Sequence, residues 1–542
     1  MMVKQQALAL IRRISVVGKG IGQGLTQTGF VPGIFGRVRS ILSSPWRKFI
    51  RGLVVVIGLA LFLGIQFVLA TAIADAERWW FLILMSFVSL GAAVLAIRSV
   101  VLMIAIWLVL IPWTWHFPIR SAKYYFSFDL LALTLIFVIV LARLLARRIR
   151  LPSLYPAEWL LLFSIAYVNL WPILQRRIAE GAWELGTLGD IWRLVLVPSV
   201  FYFIVRTAIE SERHVRLLAY TFVVIGVLWT ISGFYEHYTG LQWHSALTGR
   251  PVLLQWRDVG KGRAIGPSDG QLQPGIVLSA AILMTLHVAA FTKRLVSRAI
   301  YYILAGLMTI ALFFTYTRTS YAAFVLVLLV MVAIGRGRRM QYVASLAIIA
   351  GVLIAMMPTL LGVRQFFTRI TDPENYFGRM AMSRTAWNIA RDYFWFGAGD
   401  LRDQSLLFRY VSSWKHPGGR HGEPYYYPDN DYLVVLAERG IFGFLLYYGA
   451  LFGFFVRLLR LRNELPTGSF LGTNLASTAT VFSLVVFVAA GFTQLRYNPY
   501  LYYLLFTYAA LVIRSRQLQT AGQAAEVESR TASIRTRLAT AG

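Results

Sequence analysis

The stretch Phe324–Gly335, FVLVLLVMVAIG, decides the fold. It carries no charge and no helix breaker before its terminal glycine. Leu131–Leu145, LALTLIFVIVLARLL, is as apolar, with Arg143 near its end the one charge. Runs of about 20 such residues match the roughly 30 Å hydrocarbon core of a bilayer, and in lipid a helix satisfies every backbone group within its own segment. Working outward, apolar segments recur at roughly 53–73, 79–97, 99–115, 128–146, 157–175, 190–206, 217–237, 271–291, 299–315, 319–335, 341–357, 432–456, 470–494 and 499–513. The second and third are nearly continuous and hinge at Arg98. The expected fold is all-α, a polytopic transmembrane helical bundle of about 12–14 spans. One long polar stretch, Pro358 to Asp431, interrupts the pattern. It is expected to be a large periplasmic loop containing short helices, and it is where chemistry would concentrate.

Composition agrees with a membrane protein: 58% hydrophobic residues, 14% charged, and a mean hydropathy of +0.62. The domains follow as a basic cytoplasmic segment 1–52, transmembrane regions 53–357 and 432–513 on either side of the loop 358–431, and a disordered cytoplasmic tail 514–542. No short apolar core with a small-residue cleavage site occurs near the start, so Leu53–Ala72 is expected to act as an uncleaved signal anchor. The absence of cysteine excludes disulfides, thiolate metal sites and cysteine nucleophiles.

A net charge of +29 raises the question of nucleic acid, and its distribution answers it. Lys4, Arg12, Arg13, Lys19, Arg37, Arg39, Arg47, Lys48 and Arg51 precede the first span. Alternate turns then carry Arg143/Arg147/Arg148/Arg150, Arg206/Arg213/Arg216, Lys293/Arg294/Arg298, Arg336/Arg338/Arg339 and Arg457/Arg460/Arg462. Cytoplasmic turns collect Lys and Arg, so the excess is a topology signal with some attraction to anionic membrane lipids, and nucleic acid is not a partner. Both termini are expected in the cytoplasm. No GxxxxGK[ST] phosphate loop occurs, which argues against an ATP-driven pump.

With that topology, three polar elements share the outer face: the loop Tyr238–Gly270, the turn Thr315–Ser320 and the long loop. Gly378–Tyr393 of the long loop reads as an amphipathic helix with Arg384, Asn388 and Arg391 on one face. It ends in FWFGAGD, where Gly397 and Gly399 suit a positive-φ stop and close approach of backbone to a ligand. Arginine forks match phosphate oxygens, so this face fits a phosphorylated lipid headgroup, the alternative being a solvated surface. The loop closes on Pro428-Asp429-Asn430-Asp431, ordinary helix-capping chemistry of which one residue suffices. Glu438 lies about two turns into the span that follows, a costly position for a carboxylate unless it finds a partner or lines a cavity. Arg263 sits among glycines and prolines, and Arg318 between two apolar runs, where it could instead snorkel to the interface.

Three pieces, in this order, resemble the O-antigen ligase and O-antigen (exopolysaccharide) polymerase family of integral-membrane glycosyltransferases. RAIGPSDGQLQPG (Arg263–Gly275) is similar to its Arg-x-x-Gly segment before a span, and FTYTRTSYAAF (Phe314–Phe324) to its Thr/Ser-Arg-small turn. GRMAMSRTAWNIARDYFWFGAGD (Gly378–Asp400) through PDNDYLVVLAERGIFGF (Pro428–Phe444) is similar to its Gly-Arg…Trp…Gly-x-Gly…His-Asn-x-x-Leu…Glu-x-Gly pattern. The resemblance implies an enzyme of the bacterial inner membrane, free of metal and cofactor. It would move a glycan from undecaprenyl diphosphate to a glycan or lipid acceptor on the periplasmic side. Arg263, Arg318 and Arg379 fall at family arginine positions expected to hold the diphosphate, with Arg384 and Arg391 beside them. Asn430, Leu433, Glu438 and Gly440 match the helix-start motif. The family histidine is replaced by Asp429, which leaves Asp429, the nearby His421 and Glu438 as the catalytic candidates. Ligase and polymerase share these motifs; a polymerase would work beside a chain-length regulator and a flippase.

Two other readings compete. A lipid-linked oligosaccharide flippase or polysaccharide transporter should carry charge near the middle of its spans, and most spans here lack it. A non-catalytic scaffold of an export complex would tolerate loss of all three arginines.

Overall fold

The computed structural model describes residues 99–541 apart from 115–118, 122–123, 127, 146–152, 180–196, 243–263, 268–272, 335–342, 344–350, 352–372, 400, 402–403, 411–428, 494 and 496–497. The first two expected spans, the span at 341–357, Arg263 and His421 lie outside the described residues. The chain divides into two compact units, and nearly everything described belongs to the second, Val68–Val140 with Ile149–Gly542. Of the first unit only residues 141–145, the end of one helix, are described.

The described helices are α1 (Val100–Thr114), α2 (Phe128–Leu145), α3 (Pro156–Ala179), α4 (Val197–Ala208), α5 (Glu212–Thr239), α6 (Gln273–Phe291), α7 (Leu295–Phe314), α8 (Arg318–Ile334), α9 (Pro373–Asp392), α10 (Gln404–Tyr410), α11 (Asp431–Glu464), α12 (Thr473–Ala490) and α13 (Pro499–Ala541). A small antiparallel hairpin, β1 (Ile119–Ser121) with β2 (Tyr124–Phe126), precedes α2. The protein is an all-α multi-pass membrane protein. Among the described residues α5, α6, α7, α11 and α12 are long and apolar enough to cross a membrane, and shorter apolar helices accompany them.

The centre is built on α6 and α12, which pack against one another and are covered nearly all round by α5, α7, α8, α11 and α13. Ser477, Thr478, Thr480 and Ser483 on α12, and Ser279 and Thr285 on α6, return their hydroxyls to carbonyls one turn earlier in the same helix. Small side chains let backbones approach, the usual basis of helix association in lipid. Gly275 shows it: a Cβ there would meet the Ser320 hydroxyl at 1.9 Å.

Contacts at the turns define two ends. At one, Arg514 donates to the Ile209 carbonyl at 2.8 Å, Gln519 to Leu471 at 3.3 Å, and Arg516 faces Glu464 at 3.4 Å. Arg206, read from sequence as a surface topology charge, is instead fully buried there. It pairs with Glu158 of α3, which also accepts from the Tyr202 hydroxyl, and it donates to the Ser153 carbonyl at 2.7 Å. The tail is a second correction. Expected to be disordered, it continues α13 without interruption to Ala541. Its Ala, Gln, Glu and Arg are good helix formers, and a tail that extends an existing helix owes no nucleation cost.

Candidate active site

The other end is organised around a break in α11. The helix starts at Asp431 and is interrupted at Gly440, whose φ of 64° and ψ of −174° are not helical. A break two turns into an apolar helix leaves backbone groups without intrahelical partners, and where water is excluded another segment must satisfy them. The turn after α9 does so. Ala398 N donates to Ala437 O at 2.8 Å, Gly399 N to Glu438 O at 3.1 Å, and Ile441 N to Phe394 O at 2.7 Å. The two chains touch so closely that both need glycine. A Cβ on Gly397 would lie 2.2 Å from the Glu438 carbonyl carbon, and one on Gly440 would lie 2.3 Å from the Trp395 oxygen. Gly397 and Gly399 do have positive φ, 79° and 91°. The backbone that comes close to them is that of α11, where a ligand was expected.

Glu438 completes this clasp. Its buried carboxylate accepts from Leu401 N at 3.0 Å, and its other oxygen lies 3.9 Å from Arg439 Nε. The carboxylate that looked costly in the span thus has partners inside the protein. Its observed contacts hold the loop in place.

The clasp fixes α9 against α11. α9 buries Met382, Thr385, Ala386, Ile389 and Ala390, one helical face, partly against Val434 and Ala437. The opposite face carries Arg384 and Arg391, exposed as their spacing predicts, with Trp387 also exposed. Near the start of this helix Arg379 reaches Asp429, Nε to Oδ2 3.7 Å, each side chain 46% exposed. Burial pushes the Asp429 carboxyl above the ordinary carboxylate range, and the Arg379 guanidinium opposes that rise. Asp429 is free of capping duty. The cap of α11 is Asn430, whose side chain accepts from Leu433 N at 3.1 Å.

Two further elements of the sequence motif approach one another. Ala264 N donates to Phe314 O at 3.0 Å, joining the residues just after Arg263 to the end of α7. Ile265 N and Gly266 N both donate to the buried carboxylate of Glu236 on α5, each at 2.7 Å. Gly266 has φ 67°, and a Cβ there would strike the Trp229 ring at 2.7 Å, so the glycine of the Arg-x-x-Gly motif is required by packing. The turn from Phe314 to Arg318 carries a strained residue, Tyr316 at φ 47°, and α8 begins at Arg318 itself. Residues 264–266 and the start of α8 are therefore neighbours through Phe314.

Residues 303–448 match the O-antigen ligase family. The matched segment holds Arg318, Arg379, Arg384, Arg391, His421, Asp429 and Glu438, and Arg263 precedes it. No curated protein matches the chain. The match bears out the family resemblance and supports a membrane glycosyltransferase of the ligase or polymerase kind.

Two residues of this end, Glu236 and Arg439, escaped the sequence reading, and a third, Asp431, was noticed without being given a role. Glu236 follows the apolar run of α5 and reads as an ordinary polar terminus; only the fold brings the 264–266 backbone to it. Arg439 looks like a partner charge for Glu438, yet its carbonyl also accepts from the Tyr167 hydroxyl of α3 at 3.1 Å. Asp431, fully buried, accepts from the Tyr448 hydroxyl at 2.6 Å. The excess of carboxylates in Asp-Asn-Asp was a usable signal for it, because capping employs a single residue.

Proposed function

We propose that the chain transfers a glycan from undecaprenyl diphosphate to a glycan or lipid acceptor at the periplasmic face of the bacterial inner membrane. The acceptor hydroxyl oxygen attacks the anomeric carbon, and the bond from that carbon to the diphosphate oxygen breaks. The electron pair leaves with undecaprenyl diphosphate, and the Asp429 carboxylate takes the acceptor proton. Arg379, Arg318 and Arg263 hold the diphosphate and neutralise the charge that develops on it, with Arg384 and Arg391 extending the cationic face. Arginine forks suit this task, so no divalent metal is invoked.

The observation that carries the reading is the Arg379–Asp429 pair. A cation and a carboxylate with a raised pKa stand side by side and half exposed, next to a tightly fastened backbone. At 3.7 Å the contact is loose, and a phosphate oxygen is a better partner for a guanidinium than a distant carboxylate. Arg318 at the first position of α8 supports the same ligand, because the backbone N–H groups and dipole of a helix start favour an anion.

The test is transfer by purified protein given a lipid-diphosphate-linked glycan and an acceptor. Alanine at Arg263, Arg318 or Arg379 is expected to cut transfer to a small residual at normal protein abundance. Wild-type-like product from all three variants would overturn the enzyme in favour of a scaffold. Reporter fusions at Gly335 and Gly418 are expected on opposite sides of the membrane, and a shared side would remove the common-face argument.

A further inference from the structure

Between α9 and the clasp glycines, Phe394, Trp395 and Phe396 are large aromatic residues with much of their surface uncovered, Trp395 60% and Phe396 47% exposed. Their backbone cannot withdraw them. Phe394 O is held by Ile441 N, and Gly397 N donates back to Tyr393 O at 2.9 Å. The rings lean on Phe442 of α11, with centroids 5.8 Å away for Trp395 and 5.5 Å for Phe396, and Phe396 also stacks on Trp171 of α3 at 4.8 Å. Phe442 is itself 45% exposed, and the same side of α11 continues with exposed Leu445 and Phe452 at helical spacing. That stripe runs along a helix long and apolar enough to cross a membrane, which suits it to contact with lipid. The aromatic turn continues the same exposed stripe past the helix break. Immediately before it, α9 ends with Arg391 exposed, a cation beside the rings.

We infer that Phe394, Trp395 and Phe396 insert into the headgroup region of the bilayer that α11 crosses, anchoring the end of α9 at the membrane surface. Aromatic rings with neighbouring cations favour this layer: the rings enter its apolar side, and the arginines meet anionic headgroups. A contiguous exposed apolar patch of this kind is otherwise unfavourable on a protein surface. The anchor sets the depth of the arginine face of α9. The inference needs only that α11 spans the membrane, and it stands or falls independently of the reaction.

The test uses the absence of cysteine from the chain. Trp395→Cys, with Phe394→Cys as a second site, is labelled with an environment-sensitive nitrobenzoxadiazole fluorophore in the full-length protein in phospholipid nanodiscs. Val527→Cys, on the exposed extension of α13, serves as the reference. The expected result is blue-shifted emission at 394 or 395, quenched several-fold more by nitroxide-labelled phospholipid than at 527, with weak quenching by iodide. Strong iodide quenching without lipid quenching at both sites would place the turn in water and overturn the anchor. Protection from both quenchers would mean a protein cover, such as a second copy, and would overturn it equally.

Discussion

Arg206 meets Glu158 where neither side chain reaches solvent, whereas Arg379 meets Asp429 with both side chains 46% exposed and 3.7 Å apart. The buried pair is enclosed: Glu158 also accepts from the Tyr202 hydroxyl and, at 2.7 Å, from Tyr155 N, while Arg206 donates to Ser153 O. Nothing there is available to a ligand. The open pair has one long contact and unused hydrogen-bonding capacity at the end of the molecule that carries the family motifs. One arginine–carboxylate pair fastens helices, and the other stands open, as the proposed binding of a phosphate requires. The difference is one of desolvation. A buried pair is expensive to form and ruinous to half-remove, whereas an exposed pair contributes at most about 1 kcal/mol to stability.

The largest effect is therefore expected far from the chemistry. Arg206→Ala strands a buried carboxylate and should cost about 3–5 kcal/mol, read as a lower unfolding temperature in detergent and reduced abundance in the membrane. Arg206→Ala combined with Glu158→Leu should recover part of that loss, since no unpaired charge remains. Wild-type unfolding of the single variant would show that the pair fastens nothing, and the contrast between the two ends would collapse.

Next comes Asp429→Asn, which attacks the open pair without touching the fold. Asn430 performs the capping, so stability should not change, while transfer should fall about 10²–10⁴-fold if the carboxylate accepts the proton. Transfer at the wild-type rate would remove Asp429 from the mechanism and move the search for the base to His421.

The same contrast explains what could be read in the sequence. Spans such as Phe324–Gly335 are visible because lipid enforces long apolar runs, and the amphipathic face of α9 is visible because Arg384 and Arg391 repeat at helical spacing. Gly440 was matched to a family motif, but its role was hidden. A glycine in an apolar run looks like a packing residue until the φ of 64° and the stitching by residues 394–401 are seen. Arg206 was hidden for another reason. At the end of a span an arginine serves topology and ion pairing equally well, and its partner lies 48 residues away. Partners set by tertiary contact, like Glu236 under residues 265 and 266, leave no local pattern.

Arg379 itself is expected to affect pH dependence more than stability. Asp429 works as a base only when deprotonated, so the rate should fall as pH drops through its raised pKa. The Arg379 charge holds that pKa down, so Arg379→Gln should move the acid limb of the residual activity to higher pH. Unfolding should change by no more than about 1 kcal/mol. Arg379→Lys should retain part of the transfer, because an ammonium keeps the charge and loses the fork. An acid limb that stays in place in Arg379→Gln would mean that another group titrates.

The smallest effect separates the helix start from the carboxylate beside it. Asn430 caps α11 with a single bond from Leu433 N at 3.1 Å, and replacing such a cap by alanine costs about 1 kcal/mol. Asn430→Ala should therefore lower the unfolding temperature slightly and reduce transfer by a few-fold at most. The clasp at Gly397 and Gly440, together with Tyr448 on the Asp431 carboxylate, still holds the first turns of α11 in place. Asp429→Asn, one residue away, is expected to show the reverse pattern: unchanged stability and a large loss of transfer. That opposition is the sharpest test of the open pair. If Asn430→Ala abolishes transfer as completely as Asp429→Asn does, activity depends on the position of the helix start as a whole, and Asp429 is a positioning residue with no proton to accept.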